Sequence, residues 1–551
     1  MLARTSSVPF ARSAAVQTAP HRGANPHVAT PPWNALRLKL FLRAAFPNQQ
    51  LIVASHRQPY SHVFDDFGVA LKQPASGLIT AMEPVMRASG GTWVAHSSGN
   101  ADAQVTDREG IWLTPAEAGR YRLKRLWFSK PELQGHIDGF SNAGLWPLCH
   151  DAEVVPEFTE SDWQMYRRVN QAYADAIVAE ARCANPVAFI HDYQLALVPA
   201  MVRKLLPCAS VLSFWHIPWA KPEQMRECPC LPELIEGWLG SDLAGFQTPE
   251  NRNNFLVAAR QHGKRSLHAN PRVLVGAQHT TLVNDYPASI AWPSSNDCVP
   301  LARPQTPPAR SMKLVVGVDR FDYTKGLLQR MLAVEALLTS QPQWLGRLRL
   351  IQVAAPTRGT LAAYRRHRSE VTAEVARINQ RFAQGAWQPI SLFDTHHNRE
   401  ELNALYQSAD VCLVSSLQDG MNLVCKEFVA ARSDEKGVLV LSQFAGARDE
   451  LTAALIVNPR DIPQVAQALQ RALTMPAQEV QRRMRAMRRT VKTNNVHRWA
   501  ANIFMDAARL RVQLGLDPTD HALHQLAQTS PLPEVDRRAA TSNPSQLERV
   551  E

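Results

Sequence analysis

The sequence predicts an α/β protein of two doubly wound, Rossmann-like parallel-sheet domains facing a cleft, followed by C-terminal helices. Three observations predict it. Short apolar runs alternate with helical patterns, once after Leu51 and again after residue 312, and such alternation makes parallel strands with crossover helices. A stretch at 291–311, with Pro293, Pro300, Pro304, Pro307 and Pro308, separates the two series. Polar clusters stand just past several of the apolar runs, where open α/β sheets bind ligands.

Length and composition agree with this class. The 551 residues suffice for two or three domains. Charged residues make up 20% and hydrophobic residues 45%, as in ordinary globular proteins. The net charge of +11 is uneven: residues 1–64 hold seven Arg or Lys and no acid, leaving about +4 for the rest. That balance speaks against a nucleic-acid surface on the folded part. The eight Cys are scattered, with only Cys228 and Cys230 close together, so neither zinc spacing nor a disulfide framework is read. A reducing cytosol fits. No apolar run reaches the roughly 18 residues of a membrane span.

Residues 1–48 read as a flexible N-terminal extension, rich in Ala, Ser, Pro and Arg. A plain tail, a transit peptide and an export signal into a host cell are all compatible with it. The N-terminal domain, residues 49–300, starts with a buried strand at Leu51–Ala54. Ser76-Gly77 then opens a helix, and Gly77 lets backbone approach a phosphate. A strand follows Gly91, and Ser161 reads as a capping box opening a long helix. Three buried strands end in His191-Asp192, Trp215-His216 and Phe246. Asp192 and His216 follow successive strands, so both are expected to face one crevice, although a lone His there is more often structural. The C-terminal domain, residues 311–475, carries strands at 313–318, 348–355, 389–393, 411–415 and 437–441. Helices at 476–515 and a frayed tail at 516–551 complete the chain.

Two clusters carry the chemistry. Gly317-Val318-Asp319-Arg320-Phe321-Asp322-Tyr323-Thr324-Lys325-Gly326 joins a strand to a helix. Arg320 and Lys325 there add two cations to a helix N-terminus, which already favours anions, so a diphosphate is the natural guest. The plain alternative is an exposed loop whose cations pair with Asp319 and Asp322. Ser416-Leu417-Gln418-Asp419-Gly420-Met421-Asn422-Leu423-Val424-Cys425-Lys426-Glu427 is the second cluster. Asp419 in the loop suits sugar hydroxyls, and Glu427, a turn into the helix, suits a ribose diol. Solvated charges are again the plain alternative.

These two clusters, with His191-Asp192-Tyr193, Phe214–Pro218, Gly139-Phe140-Ser141-Asn142, Leu145-Trp146-Pro147, Leu439–Gly446 and Val496-His497-Arg498-Trp499, resemble trehalose-6-phosphate synthases over residues 50–510. The resemblance implies the two-domain glycosyltransferase fold called GT-B. It implies transfer of glucose from UDP-glucose (ADP- or GDP-glucose in some members) to glucose 6-phosphate, with retention and without a metal or other cofactor. By resemblance, Arg320 and Lys325 hold the donor diphosphate, with Gly77 closing from the other domain. Asp419 holds glucose hydroxyls, Glu427 the ribose, and Asn422 and Leu423 the diphosphate or base. His216 touches the donor sugar and Asp192 the acceptor sugar. Arg57 and Arg358 clamp the acceptor phosphate over Trp146. The implied catalytic set is Asp192, His216, Arg320 and Lys325.

Five positions depart from the family pattern. Ser76 stands for a glycine, His56 for an asparagine, His96 for an aromatic residue, Ile137 for a tyrosine and Gln418 for an arginine. Four of the five touch or border the acceptor side, so the donor side is the better preserved. The related glucosylglycerol-phosphate synthase, using glycerol 3-phosphate, is the neighbouring alternative. A non-catalytic sugar-phosphate-binding regulatory protein is the alternative from another class. Small-molecule partners are expected, with neither nucleic acid nor membrane, and the sequence leaves a homo-oligomer open.

Overall fold

The computed structural model describes residues 32–73, 76–115, 120–267, 270–276, 279–293 and 312–513. Most of the Pro-rich 291–311 stretch, the tail from 514, residues 1–31 and the Pro74-Ala75 start of the expected loop lie outside the described residues.

Among the described residues the N-terminal sheet has ten strands. Its order is Ser266–Leu267, Val273–Val275, Thr280–Asp285, Leu243–Phe246, Ser210–Phe214, Val187–His191, Leu51–Arg57, Thr92–His96, Arg122–Leu126, Ile111–Leu113. The strands Val187–His191, Ser210–Phe214 and Leu243–Phe246 are buried along their whole length. Continuous apolar runs of this kind belong to parallel strands covered on both faces. The first strand pairs in parallel with Thr92–His96 on one side and Val187–His191 on the other. The winding therefore reverses between Arg57 and His191, and ligand crevices open at such a point. Both margins end in antiparallel pairs that the apolar pattern did not announce.

The C-terminal sheet is all parallel, in the order Ile390–Phe393, Leu348–Ala355, Lys313–Arg320, Val411–Val414, Val438–Ser442, Leu455–Val457. Numbered within the domain this is 3-2-1-4-5-6, the doubly wound dinucleotide-binding order. Its reversal lies between Lys313–Arg320 and Val411–Val414, so the two chemistry-bearing loops of the sequence leave adjacent strands. Strand bounds read from the apolar runs hold to within two residues, and Leu455–Val457 adds a sixth strand.

Several elements correct the sequence reading. The N-terminal extension does not run to residue 48: Ala35–Ala45 is a helix, capped by Asn34 Oδ1 accepting from the Arg37 backbone N–H at 2.9 Å. Leu38, Phe41 and Ala45 are buried on one face, and this helix joins the N-terminal core with Val53, Met82 and Phe504. The charges of Arg37, Lys39 and Arg43 masked that stripe. The long helix runs Glu160–Glu180 and is capped by Thr159, whose hydroxyl accepts from Asp162 N–H at 3.1 Å, so Ser161 is inside it. The two last helices part company. Met484, Met487 and Val491 of Ala477–Thr493 pack on the C-terminal domain with Phe428 and Leu441. Val496–Gln513 crosses back and inserts Val496, Trp499 and Phe504 into the N-terminal core.

Gln134–Leu145 winds as a π-helix, a rare form frequent at functional sites. Its glycines explain where it lies. A Cβ on Gly139 would sit 2.4 Å from Asp162 Cγ, and one on Gly135 2.7 Å from Met165 Cβ. The widened turn thus rests against the 160–180 helix and delivers Asn142 and Trp146 to the cleft. Among the described residues no helix is long and apolar enough to cross a membrane.

Candidate active site

The C-terminal half of the site is built at that domain's reversal point. Arg320 ends its strand and a short turn, Tyr323–Lys325, follows. Gly326 has φ +62°, and a Cβ on it would meet Ser415 O at 2.0 Å, so only glycine lets the two loops pass. The passage sets Lys325 Nζ 2.7 Å from Asp419 Oδ2. Ser416 Oγ and Asn422 Nδ2 also donate to that oxygen, each at 3.2 Å. Burial by itself would raise Asp419, but Lys325, together with the hydrogen bond from Asn422, outweighs it and holds the carboxyl below its ordinary range. Asn422 takes φ +73° and caps the Leu423–Ala431 helix through Cys425 N–H at 3.2 Å. The opening turn of that helix leaves backbone donors for an anion. Glu427, half-buried one turn on, accepts from Tyr406 Oη at 3.3 Å. Burial raises its pKa.

The N-terminal half stands at the other reversal point. Asp192 directly follows the Val187–His191 strand at φ +76°. Its Oδ1 accepts from Tyr193 N–H and from His216 N–H, both at 3.1 Å. Asp192 and His216 do face one crevice, as their strand-end positions predict. Burial pushes Asp192 up to about 6, against the pull of those two amides and of Arg358 and Arg320. Burial pulls His216 down to about 3. Arg57 ends its strand as an exposed residue at the cleft; the protein crowded around its guanidinium, then the charges of Arg320 and Arg358, lower its pKa to about 10.

Contacts across the cleft bring the halves together. A Cβ on Gly420 would lie 2.3 Å from His216 O, so the Asp419 loop abuts the His216 turn. Gly77 opens its helix against Leu423 Cδ1; a Cβ there would meet it at 3.6 Å, an ordinary contact. Packing does not demand this glycine, and its small size leaves backbone open toward a ligand. Arg358 reaches from the C-terminal domain to donate to Tyr193 Oη at 3.1 Å, and its guanidinium lies 3.7 Å over the Trp146 ring. Arg320 lies 5.3 Å from the same ring centroid. Trp146 is buried, and its Nε1–H has no partner among the described residues.

Sequence reasoning left out the residue that ties these groups together. Asp322, fully buried, accepts from Thr324 N–H at 3.1 Å and Thr324 Oγ1 at 2.9 Å. It also accepts from Arg358 at 3.3 Å and Tyr364 Oη at 3.4 Å, and stands 3.7 Å from Arg320. Burial opposes its charge, but Arg358, Arg320 and Lys325 more than compensate and hold it well below the carboxylate range. Its place two residues after Arg320 was the available signal. Asp319 pairs instead with Arg330 at 2.6 Å, away from Arg320. Tyr193, Tyr364 and His191 were likewise passed over as site residues. Of the departures, His56 stacks on His96 with centroids 5.3 Å apart and meets His136 edge-on at 5.5 Å. Ile137 is half-buried in the π-helix.

Residues 49–509 match the model of glycosyltransferase family 20. The chain belongs to glycosyltransferase family 20. The family includes the trehalose-6-phosphate synthase of Mycolicibacterium smegmatis, 35% identical, covering 84% of this chain and 92% of that protein. The Mycobacterium tuberculosis synthase is 34% identical over 84% of this chain and 95% of its own length. A UDP-forming alpha,alpha-trehalose-phosphate synthase from Burkholderia vietnamiensis superposes with a TM-score of 0.76 at 31% identity, covering 85% of this chain and 99% of that one. A Burkholderia xenovorans structure described as in complex with glucose-6-phosphate gives 0.73 at 32%, over 83% and 99%. An Escherichia coli structure described as bound with UDP-2-fluoro glucose gives 0.73 at 32%, over 84% and 99%. The family's GT-B fold is the architecture of the two facing domains seen here.

Proposed function

We propose that this chain is an alpha,alpha-trehalose-phosphate synthase that moves glucose from UDP-glucose to glucose 6-phosphate with retention. The observation that carries the reading is a pair of cationic sites in one cleft, Arg320 with Lys325 and Arg358 with Arg57. Asp322 contacts both Arg320 and Arg358. A donor diphosphate and an acceptor phosphate are the two anions such an arrangement accepts, and the ligands of the relatives support both.

In this reading Arg320, Lys325 and the start of the 423–431 helix take the diphosphate as charge builds on it. Asp419 receives glucose hydroxyls and Glu427 the ribose, while Gly77, Asn422 and Leu423 approach with backbone. Arg358 and Arg57 clamp the acceptor phosphate, for which a planar guanidinium is suited. Trp146 floors the acceptor sugar. Asp192 and His216 hold acceptor and donor sugars at the reacting carbon. The acceptor hydroxyl attacks from the face the diphosphate leaves; the new C–O bond forms as the old one breaks, and the departing phosphate oxygen takes the proton. Rate then comes from positioning and fixed charge.

Ile137 and His96 border the acceptor side and favour glycerol 3-phosphate as the acceptor to test second. The assay is nucleoside-diphosphate release, crossing UDP-, ADP- and GDP-glucose with glucose 6-phosphate and glycerol 3-phosphate. Turnover with UDP-glucose and glucose 6-phosphate, lost in Arg320→Ala, is the expected result. Turnover with glycerol 3-phosphate alone overturns the acceptor, and donor binding without release overturns the enzyme.

A further inference from the structure

Ring nitrogens of His191 and His216 lie 3.0 Å apart, Nδ1 of the first to Nε2 of the second. His191 closes the Val187–His191 strand, is fully buried, and packs on Phe189 with centroids 4.1 Å apart. Its other nitrogen, Nε2, is buried without a partner among the described residues. His216 is held at its backbone as well: its N–H donates to Asp192 and its carbonyl accepts from Gln247 Nε2 at 3.3 Å. The ring of His216 has one nitrogen left over, Nδ1, on a half-buried residue at the cleft.

We infer that His191 is a positioning residue that fixes His216 as the Nδ1–H tautomer, with that N–H offered to a ligand hydroxyl in the cleft. Two neutral imidazoles in contact share one proton, and only two arrangements exist. If His216 donates from Nε2, then His191 carries its own proton on Nε2, a buried N–H with no acceptor among the described residues. If His191 donates from Nδ1, its buried Nε2 is a bare acceptor, and the His216 proton moves to Nδ1. Among backbone groups, orphaned buried N–H donors are rarer than under-satisfied carbonyl acceptors, and the same asymmetry carried over to the ring nitrogens selects the second arrangement. The hydrogen bond that one imidazole nitrogen makes decides what the other presents. Burial lowers the pKa of both rings, so the pair stays neutral at ordinary pH.

The inference rests on the transferase reading for its consequence, and its first test does not. The full-length chain, labelled with ¹⁵N in its imidazoles, is examined by long-range ¹⁵N–¹H NMR. His216 is assigned by the signal missing from His216→Gln. A protonated Nδ1 and a bare Nε2 on His216 are expected; the reverse pattern overturns the inference, whether or not the protein turns over. The second test is kinetic. His191→Asn keeps an N–H near the Nδ1 position, and His191→Leu keeps volume without a donor. The leucine variant is expected to lose about tenfold in kcat, the worth of one hydrogen bond, while the asparagine variant recovers most of it. UDP affinity is expected to stay unchanged in both. Equal losses in the two variants, or none in either, would mean that His191 only packs.

Discussion

At the scale of single residues the site is decided by two buried carboxylates with opposite electrostatics. Asp192 is raised to about 6, chiefly by burial. From its ordinary 3.8 to about 6 the folded protein therefore holds a proton that the unfolded chain has released. Its contribution to stability falls as pH rises through that window, by about 3 kcal/mol when complete. If its carboxylate grips the acceptor, kcat/KM has an acid limb near pH 6; a profile flat from pH 5 to 8 would refute this. Asp322 is the reverse case, depressed by Arg358, Arg320 and Lys325 against the effect of burial. Its contribution is present above the ordinary carboxylate range and fades as pH falls below it. Breaking a buried ion pair from one side costs about 3–5 kcal/mol. Asp322→Asn is expected to lose that much in urea unfolding at pH 7, with the deficit unchanged down to about pH 5 and shrinking only below about pH 4, under the ordinary carboxylate range.

Among elements, the decisive ones are turns where backbone meets backbone. The Asp419–Leu423 turn serves three purposes at once. Asp419 takes Lys325, Asn422 caps a helix, and Gly420 touches His216 O of the facing domain. A methyl at Gly420 cannot be absorbed, because its neighbour at 2.3 Å is a carbonyl oxygen and not a flexible side-chain end. Gly420→Ala is expected to push the two loops apart and weaken UDP binding at least tenfold, with the melting temperature changed by only a few degrees. Isothermal titration beside a thermal melt separates the two effects; unchanged affinity would show that the turn moves freely. The π-helix follows the same logic, since Gly135 and Gly139 allow its close approach to the 160–180 helix.

At the scale of the whole molecule, the last described helix joins the two domains. The chain finishes its second sheet, packs Ala477–Thr493 on it, and returns Val496–Gln513 to the first domain. Trp499 is 3% exposed, lies against Phe214 at 5.2 Å between centroids, and donates from Nε1 to Tyr286 O at 3.2 Å. Truncating a buried Trp to Ala costs about 3–5 kcal/mol. In Trp499→Ala that loss is expected in the N-terminal domain, far from its own sequence neighbours. Hydrogen exchange read peptide by peptide checks this: faster exchange in 51–57 and 187–191, with 411–414 unaffected, is the expected pattern.

The sequence by itself determined the two-domain class, nearly all the buried strands and the identity of the site loops. Apolar runs mark strands covered on both faces, and the polar residues just past them necessarily stand at strand ends. Arg320, Lys325, Asp419, Asp192 and His216 were legible for that reason. Only the tertiary structure decided who meets whom. Asp322 looked like one half of a surface ion pair until Arg358, 36 residues on, was seen folded onto it. His191 looked like the end of a strand until His216, 25 residues on, was seen against its ring. The 35–45 helix hid its apolar stripe among basic residues, and its partners Met82 and Phe504 are remote in sequence. Local pattern records how a segment buries itself. It carries no record of which distant charge or ring completes a site, because that pairing follows from the packing of the whole chain.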